Sequence, residues 1–214
     1  MARHKFSSLQ LLVLATAFAA ICAIAAPVLY EAFGPQKSML IDLADQPKMG
    51  NAKAPVEVVV FEDFQCATCQ FFTQELFPKI RDQYVATGKA LYVFIPVAYI
   101  EGSKPLAKAA LAVNKQSPEK FFAYAHAIFS TPHRLDGAAL VALAEKVGGI
   151  DLAALKSAIE TNRHYAELDR NYHRAIELMG RQFGTPALFI NGVRTPPMSY
   201  RAIKAQIETA EKSK

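Results

Sequence analysis

The chain opens on a long apolar run, then sets short apolar strands, amphipathic stretches and polar breaks in an order that can be read element by element. Phe6 to Tyr30 carries no charge; Arg3, His4 and Lys5 precede it and Glu31 follows. A run of that length reads as one bilayer-crossing helix, for which roughly 20 apolar residues suffice. Basic residues ahead of it keep that end in the cytoplasm, so the remainder faces out. A cleaved signal segment is the competing reading, with Ala23-Ile24-Ala25 as its small-residue site. Pro27 and the length of the run argue against cleavage. The mixed segment 31–50, with Pro35, Pro47 and Gly50, reads as a tether with a short ordered piece at Met39 to Leu43.

Val56 to Phe61, apolar apart from Glu57, predicts a central strand. Gln70 to Tyr84 predicts a helix kinked at Pro78 and closed off by Gly88. Ala90 to Val97 predicts a second strand. A strand–helix–strand unit of this kind places two strands side by side in parallel. The next eighty or so residues read as helical throughout. Lys104 to Gln116 is one helix. Ser117-Pro118 opens another, serine as cap and proline in the first turn. Asp136 caps a third, stopped at Gly148-Gly149, and Asp151 caps a short fourth. Ala166 to Gln182 is a fifth, ended by Gly184. The pattern then returns to strand at Ala187 to Ile190. Asn191-Gly192 is a two-residue hairpin turn. Val193 starts the return strand, Pro196-Pro197 break it, and Ser199 to Lys212 closes the chain as a helix.

Composition narrows the function. The chain has 214 residues, enough for one domain of moderate size or one with an insertion. Net charge is +5; without Arg3 and Lys5 it is +3, and no long basic run offers a footprint for nucleic acid. There are three cysteines. Cys22 sits in the N-terminal apolar run and reads as a small apolar residue of a helix; Ile21 ahead of it is the wrong size for lipoprotein processing. His126, His133, His164 and His173 are scattered without ligand spacing, so no metal site is expected.

Cys66-Ala67-Thr68-Cys69 is where the chemistry concentrates. It lies at the end of the first apolar strand and opens the following helix. The first thiol meets unpaired backbone N–H groups and the positive end of the helix dipole, which favour a thiolate. Thiolate is the species that attacks a disulfide, and the second thiol, one turn on, can close the ring.

This layout resembles the thioredoxin fold with a helical insertion, as found in the DsbA-like thiol–disulfide oxidoreductases. The matching pieces are VEVVVFEDFQCATCQFF (56–72) and FGTPALFINGVR (183–194), in the required order, and the resemblance runs from about Asn51 to the C-terminus. It implies an α/β thioredoxin-like fold with an inserted all-helical subdomain, preceded by an N-terminal transmembrane or signal helix. The segments are then 1–30, anchor or signal; 31–50, linker; 51–100, the first part of the thioredoxin-like domain; 101–182, the helical insertion; and 183–214, the second part with the cis-proline loop. Cys66 would be the exposed nucleophile and Cys69 would resolve the mixed disulfide. Ala67 and Thr68 would tune the couple. Pro186 would be the cis-proline, leaving the Thr185 backbone free to pair with an extended client segment. No cofactor is implied. Partners would be client proteins with thiols or disulfides, a membrane or envelope redox partner, and the inner membrane through the N-terminal helix; the setting would be the periplasmic side of the envelope, an oxidising compartment.

The sequence departs from the family's pattern twice. Family members often carry a buried carboxylate six residues before the first cysteine, where this chain has Val60. Glu62 and Asp63 lie nearby, either as its replacement or as solvated residues at the strand end. The strongly oxidising relatives also carry a histidine between the cysteines. Ala67-Thr68 supplies no imidazole, which points to milder thiolate stabilisation and an intermediate potential. Oxidase-like transfer is favoured because the insertion resembles the oxidase branch; isomerase and reductase directions stay open. Outside that class stand a CxxC metal-handling module, for copper(I) for example, and a fixed structural disulfide.

Overall fold

The computed structural model of the chain describes residues 8–33, 38–131, 135–161 and 164–213. The chain divides into two compact units after Lys37. In the first, helix α1 (Ser8–Phe33) runs through the apolar stretch with Pro27 inside it. No helix among the described residues is long and apolar enough to cross a membrane. The bilayer-spanning anchor expected over Phe6 to Tyr30 is therefore not supported; the alanine and leucine content alone favours a helix there. Arg3, His4, Lys5 and Phe6 lie outside the described residues, as does His133.

The second unit is built on a five-stranded sheet in the order β1-β3-β2-β4-β5. Strand β2 (Val56–Glu62) is central, as its apolar run predicts. It pairs in parallel with β3 (Ala90–Pro96) and antiparallel with β4 (Ala187–Ile190). Strand β5 (Val193–Thr195) returns from β4. The hairpin turn uses Asn191 at φ 46° and Gly192 at φ 76°, the left-handed pair that Asn-Gly supplies. Glycine is needed at 192 for a second reason. A Cβ there would collide with the Met39 carbonyl, because the chain at 38–39 lies against the turn and Met39 N–H donates to Gly192 O at 2.9 Å.

That contact belongs to a segment expected to be a tether. From Ser38 the chain packs on the fold. Strand β1 (Lys48–Gly50) pairs antiparallel with β3 at the sheet edge. Ile41 is buried beside Val59, Phe61 and Val93. Arg174 pairs with Asp42 at 2.7 Å, and Gln46 Nε2 donates to Asn171 Oδ1 at 3.0 Å. Three residues with proline beside them give too short a period-2 signal to announce a strand.

After β2 comes a continuous helical stretch: α2 (Ala67–Phe71), a π-helical turn (Phe72–Leu76), α3 (Phe77–Ile80) and a second π turn (Arg81–Val85). Pro78 widens the helix rather than only bending it. Proline has no N–H to donate, and the wide turn just before it carries the ladder from Phe77 N–H to Phe72 O. Between β3 and β4 lies the helical block: α4 (Ser103–Gln116), α5 (Phe121–Phe129), α6 (Gly137–Val147), α7 (Leu152–Glu160) and α8 (Tyr165–Met179). Asp136 and Asp151 cap α6 and α7, accepting from Ala139 N at 2.8 Å and Ala154 N at 3.0 Å. Ser117 does not cap; its hydroxyl donates to Gly149 O, and a 3₁₀ turn (Pro118–Lys120) leads into α5. Helix α8 stops at Gly180, not Gly184, with a 3₁₀ turn (Gly180–Gln182) after it. Helix α9 (Tyr200–Lys212) closes the chain, capped by Ser199.

The sheet separates two cores. Phe72, Phe121, Tyr124, Leu111 and Ile203 fill the larger, under α2 to α7 and α9. Ala175 and Met179 of α8 cover the smaller one with Ile41.

Candidate active site

Cys66 stands at the N-cap of α2 in extended conformation, φ −83° and ψ 116°, where strand β2 has just ended. Cys69 lies one turn into the helix. Both are free thiols, and their surroundings differ. Cys69 is fully enclosed, whereas Cys66 is 9% exposed and lines a cavity of about 220 Å³. Phe64, Gln70, Leu106, Phe129 and Leu135 form much of its wall, and Ala67 sits exposed at its rim. Most aromatics of α5 are core, as helical spacing predicts, but Ile128 and Phe129 at its end also face this cavity. Gln70 Nε2 ties α2 to α5 by donating to Phe129 O at 2.7 Å.

The loop before β4 closes the site from the other side. The Thr185–Pro186 peptide bond is cis, and Pro186 is buried. Cys66 Sγ donates to Thr185 O at 3.2 Å; Thr68 Oγ1 lies 3.0 Å from the same sulfur and 3.1 Å from the same carbonyl oxygen. In this geometry the Thr185 carbonyl oxygen faces the Thr68 hydroxyl, and the Cys66 thiol while that is protonated. The Thr185 hydroxyl meets the Tyr99 hydroxyl at 3.1 Å.

The Cys66 thiol is nevertheless held far below its ordinary range, at about 4. The hydrogen bond from Cys69 is the largest cause, opposed by burial and assisted by the side chains of Thr185 and Thr68 and by the Cys69 backbone N–H. Without an imidazole between the cysteines, several donors stabilise the thiolate instead. Burial drives Cys69 the other way, well above a normal thiol, and its bond to Cys66 and the charge of Glu62 push it further. One sulfur is poised as an anion and its neighbour as a protonated thiol.

Neither carboxylate before the motif is solvated. Glu62 and Asp63 are both fully buried. Val60 and Glu62 are two residues apart on one strand and so face the same side; the carboxylate missing at 60 reappears one strand step nearer the thiols. Thr73 Oγ1 donates to Glu62 Oε2 at 2.9 Å and Tyr92 Oη to Oε1 at 3.3 Å. Burial raises the Glu62 carboxyl to about 8 against those two bonds, with the Cys66 charge adding to the rise. Asp63 has a different task. Its Oδ1 accepts from Gln65 N at 2.8 Å, and its Oδ2 from Tyr99 N at 3.0 Å and Ile100 N at 3.1 Å. It fastens the loop after β3 to the turn that presents Cys66. Tyr99 was not foreseen; its only sequence signal is a place just past the C-terminal end of a strand, where sites of α/β sheets collect. Among the described residues, no group of three or more His, Cys, Asp or Glu could hold a metal.

Comparison with known proteins places this geometry among relatives. The family model for Thioredoxin matches residues 43–209. Disulfide bond formation protein D of Bacillus subtilis (strain 168) is 28% identical over 183 residues, covering 79% of this chain and 78% of that protein. A protein of Bacillus anthracis named probable disulfide bond formation protein D is 24% identical over 94% of this chain and 97% of its own length. Among solved structures, Chlamydia trachomatis DsbA superposes with a TM-score of 0.76 at 28% identity, covering 84% of this chain and 99% of that one. Oxidised BdbD of Bacillus subtilis gives 0.75 at 24% identity, over 83% and 98%.

Proposed function

The chain belongs to the thioredoxin family, and from that premise we propose that it is a protein thiol–disulfide oxidoreductase of the DsbA type that donates disulfides to client proteins on the periplasmic side of the cell envelope. The observation that carries the reading is the asymmetry of the pair: Cys66 held as a thiolate beside an open cavity and Cys69 enclosed and protonated. The names of the relatives, disulfide bond formation protein D and DsbA, point the same way.

In the donating direction a client thiolate attacks Cys66 Sγ of the Cys66–Cys69 disulfide. The S–S bond breaks, Cys69 leaves with the electron pair, and the client is held as a mixed disulfide. Cys69 does not persist as an anion in its enclosed site and takes a proton; Glu62, protonated near neutral pH, supplies it. A second client thiolate then attacks the client sulfur, forms the client disulfide and expels Cys66 as a thiolate. Thr68, Thr185 and Cys69 stabilise that leaving group. A stabilised reduced form makes a couple oxidising, which favours donation over reduction. The reduced pair must then pass two electrons to a reoxidant of the envelope.

Location rests on two sequence features: Arg3 and Lys5 ahead of an apolar run, the pattern of an export signal, and a dithiol couple suited to an oxidising compartment. The test of the whole reading is adduct trapping in cells. Cys69→Ala should accumulate mixed disulfides between Cys66 and envelope proteins, and Cys66→Ala should accumulate none. Absence of adducts with Cys69→Ala would overturn it.

A further inference from the structure

Cys66 Sγ, Thr68 Oγ1 and the Thr185 carbonyl oxygen form a triangle with sides of 3.0, 3.1 and 3.2 Å. At most two protons serve it, one on the thiol and one on the hydroxyl. While Cys66 is a thiol, both can be directed at the carbonyl. Once the thiol proton has left to solvent through the adjoining cavity, only the Thr68 proton remains, and two acceptors compete for it. A hydrogen bond to a charged acceptor is the stronger, so the hydroxyl turns to sulfur. The carbonyl then faces a thiolate and has lost both donors. A peptide N–H from an extended client segment restores one. Thr68 is exposed and Cys66 lines the cavity, so such a segment reaches both. Cys69 and the Thr185 hydroxyl also serve the sulfur; Thr68 is the neighbour that touches both the sulfur and the Thr185 carbonyl.

We propose that the single proton of Thr68 couples client binding to Cys66 ionisation: a client backbone N–H that takes over the Thr185 carbonyl releases the Thr68 hydroxyl to the sulfur, and ionised Cys66 in turn opens the carbonyl to the client. The coupling is reciprocal, since whatever one event does to the other's equilibrium is returned by the same factor. It rests on the thiol–disulfide reading above and on the client pairing at Thr185 that the family resemblance implies, and adds to them a positioning role for Thr68.

The test titrates the Cys66 thiolate by its ultraviolet absorbance near 240 nm in the reduced full chain as pH is lowered from 7, with circular dichroism confirming that the protein stays folded. The probe is a capped pentapeptide of valine, alanine, serine, alanine and valine at millimolar concentration, its serine standing where a client cysteine would be. The expected result is an acid constant raised by about fivefold or more by the peptide in the native chain and in Thr68→Ser. Thr68→Val should show no shift, and neither should a peptide N-methylated at the amides flanking serine. An unshifted titration in the native chain, or an equal shift in Thr68→Val, overturns the coupling. The cysteine version of the same peptide, supplied as its symmetric disulfide so that the Cys66 thiolate attacks one peptide sulfur and the other peptide leaves as a thiolate, separates this from the parent reading. If it forms a mixed disulfide with the Cys69→Ala chain while the serine peptide shifts nothing, the coupling alone fails. If it forms none, the oxidoreductase reading fails as well.

Discussion

Glu62 and Cys66 titrate in opposite senses, and the difference is measurable. Glu62 is raised by burial from about 4.5 to about 8. Between those values the folded chain keeps a proton that the unfolded chain has lost, so stability falls as pH rises, by about 1.4 kcal/mol per unit at the steepest. Glu62→Gln should flatten that decline in urea unfolding of the oxidised protein. It should also slow client adduct formation by about 100-fold, the usual scale for a lost general acid, read by stopped-flow with a small thiol. Cys66 is lowered to about 4, so in the reduced chain it contributes stability that is complete above the unfolded thiol value near 9 and lost as pH falls through about 4. The oxidised chain has no such titration. The reduction potential should therefore fall by only about 30 mV per pH unit between pH 4 and the onset of Glu62 titration, and by about 60 mV per unit below pH 4, because one rather than two protons accompany the two electrons. A slope near 60 mV per unit at pH 6 would mean that Cys66 is an ordinary thiol.

At the scale of elements, the site is a junction of three chain segments that only two hydrophobic periods and one turn signal could locate. The central strand, its parallel neighbour and the Asn191-Gly192 hairpin were legible because an apolar run, a turn pair and a long spacing are local facts. The caps at Asp136 and Asp151 were legible for the same reason. What joins the segments was not. Asp63 reads as one carboxylate in a polar turn, yet it accepts from Gln65, Tyr99 and Ile100 and so links residues 36 and 37 positions apart. Glu62 reads equally as surface, because burial of a strand end depends on the helices that later cover it. Asp63→Asn leaves one acceptor oxygen and an N–H aimed at donors. It should cost about 2 to 3 kcal/mol, the scale of lost bonds to a charged group, in urea unfolding. It should also raise the reaction rate of Tyr99 with tetranitromethane as its loop comes loose. By contrast Asp151→Ala, a cap far from the site, should cost about 1 kcal/mol and leave thiol reactivity untouched.

For the molecule as a whole, the two faces of the sheet are covered unequally. The larger core has several helices over it; the smaller is closed by α8 together with the chain from Ser38 onward. That segment, read from sequence as a tether, is part of the fold. Ile41 fills the second core, Gln46 bonds Asn171 and β1 seals the edge of β3. A protein beginning at Ser38, where the compact unit itself begins, should unfold in one cooperative transition with normal stability. A protein beginning at Asn51 keeps both cysteines and every strand except β1, yet it exposes the Ile41 site, leaves Asn171 Oδ1 without its partner and bares the β3 edge. Burial of an isoleucine is worth about 1.5 to 3 kcal/mol and an unpaired buried amide about 1 to 3 kcal/mol. The shorter protein should therefore lose several kcal/mol in urea titration and gain a tendency to associate through the open edge. Its Cys66 should still be alkylated at low pH, since the triangle with Thr68 and Thr185 lies on the far side of β2 from that edge in the strand order. Equal stability of the two proteins would return residues 38–50 to the role of a tether.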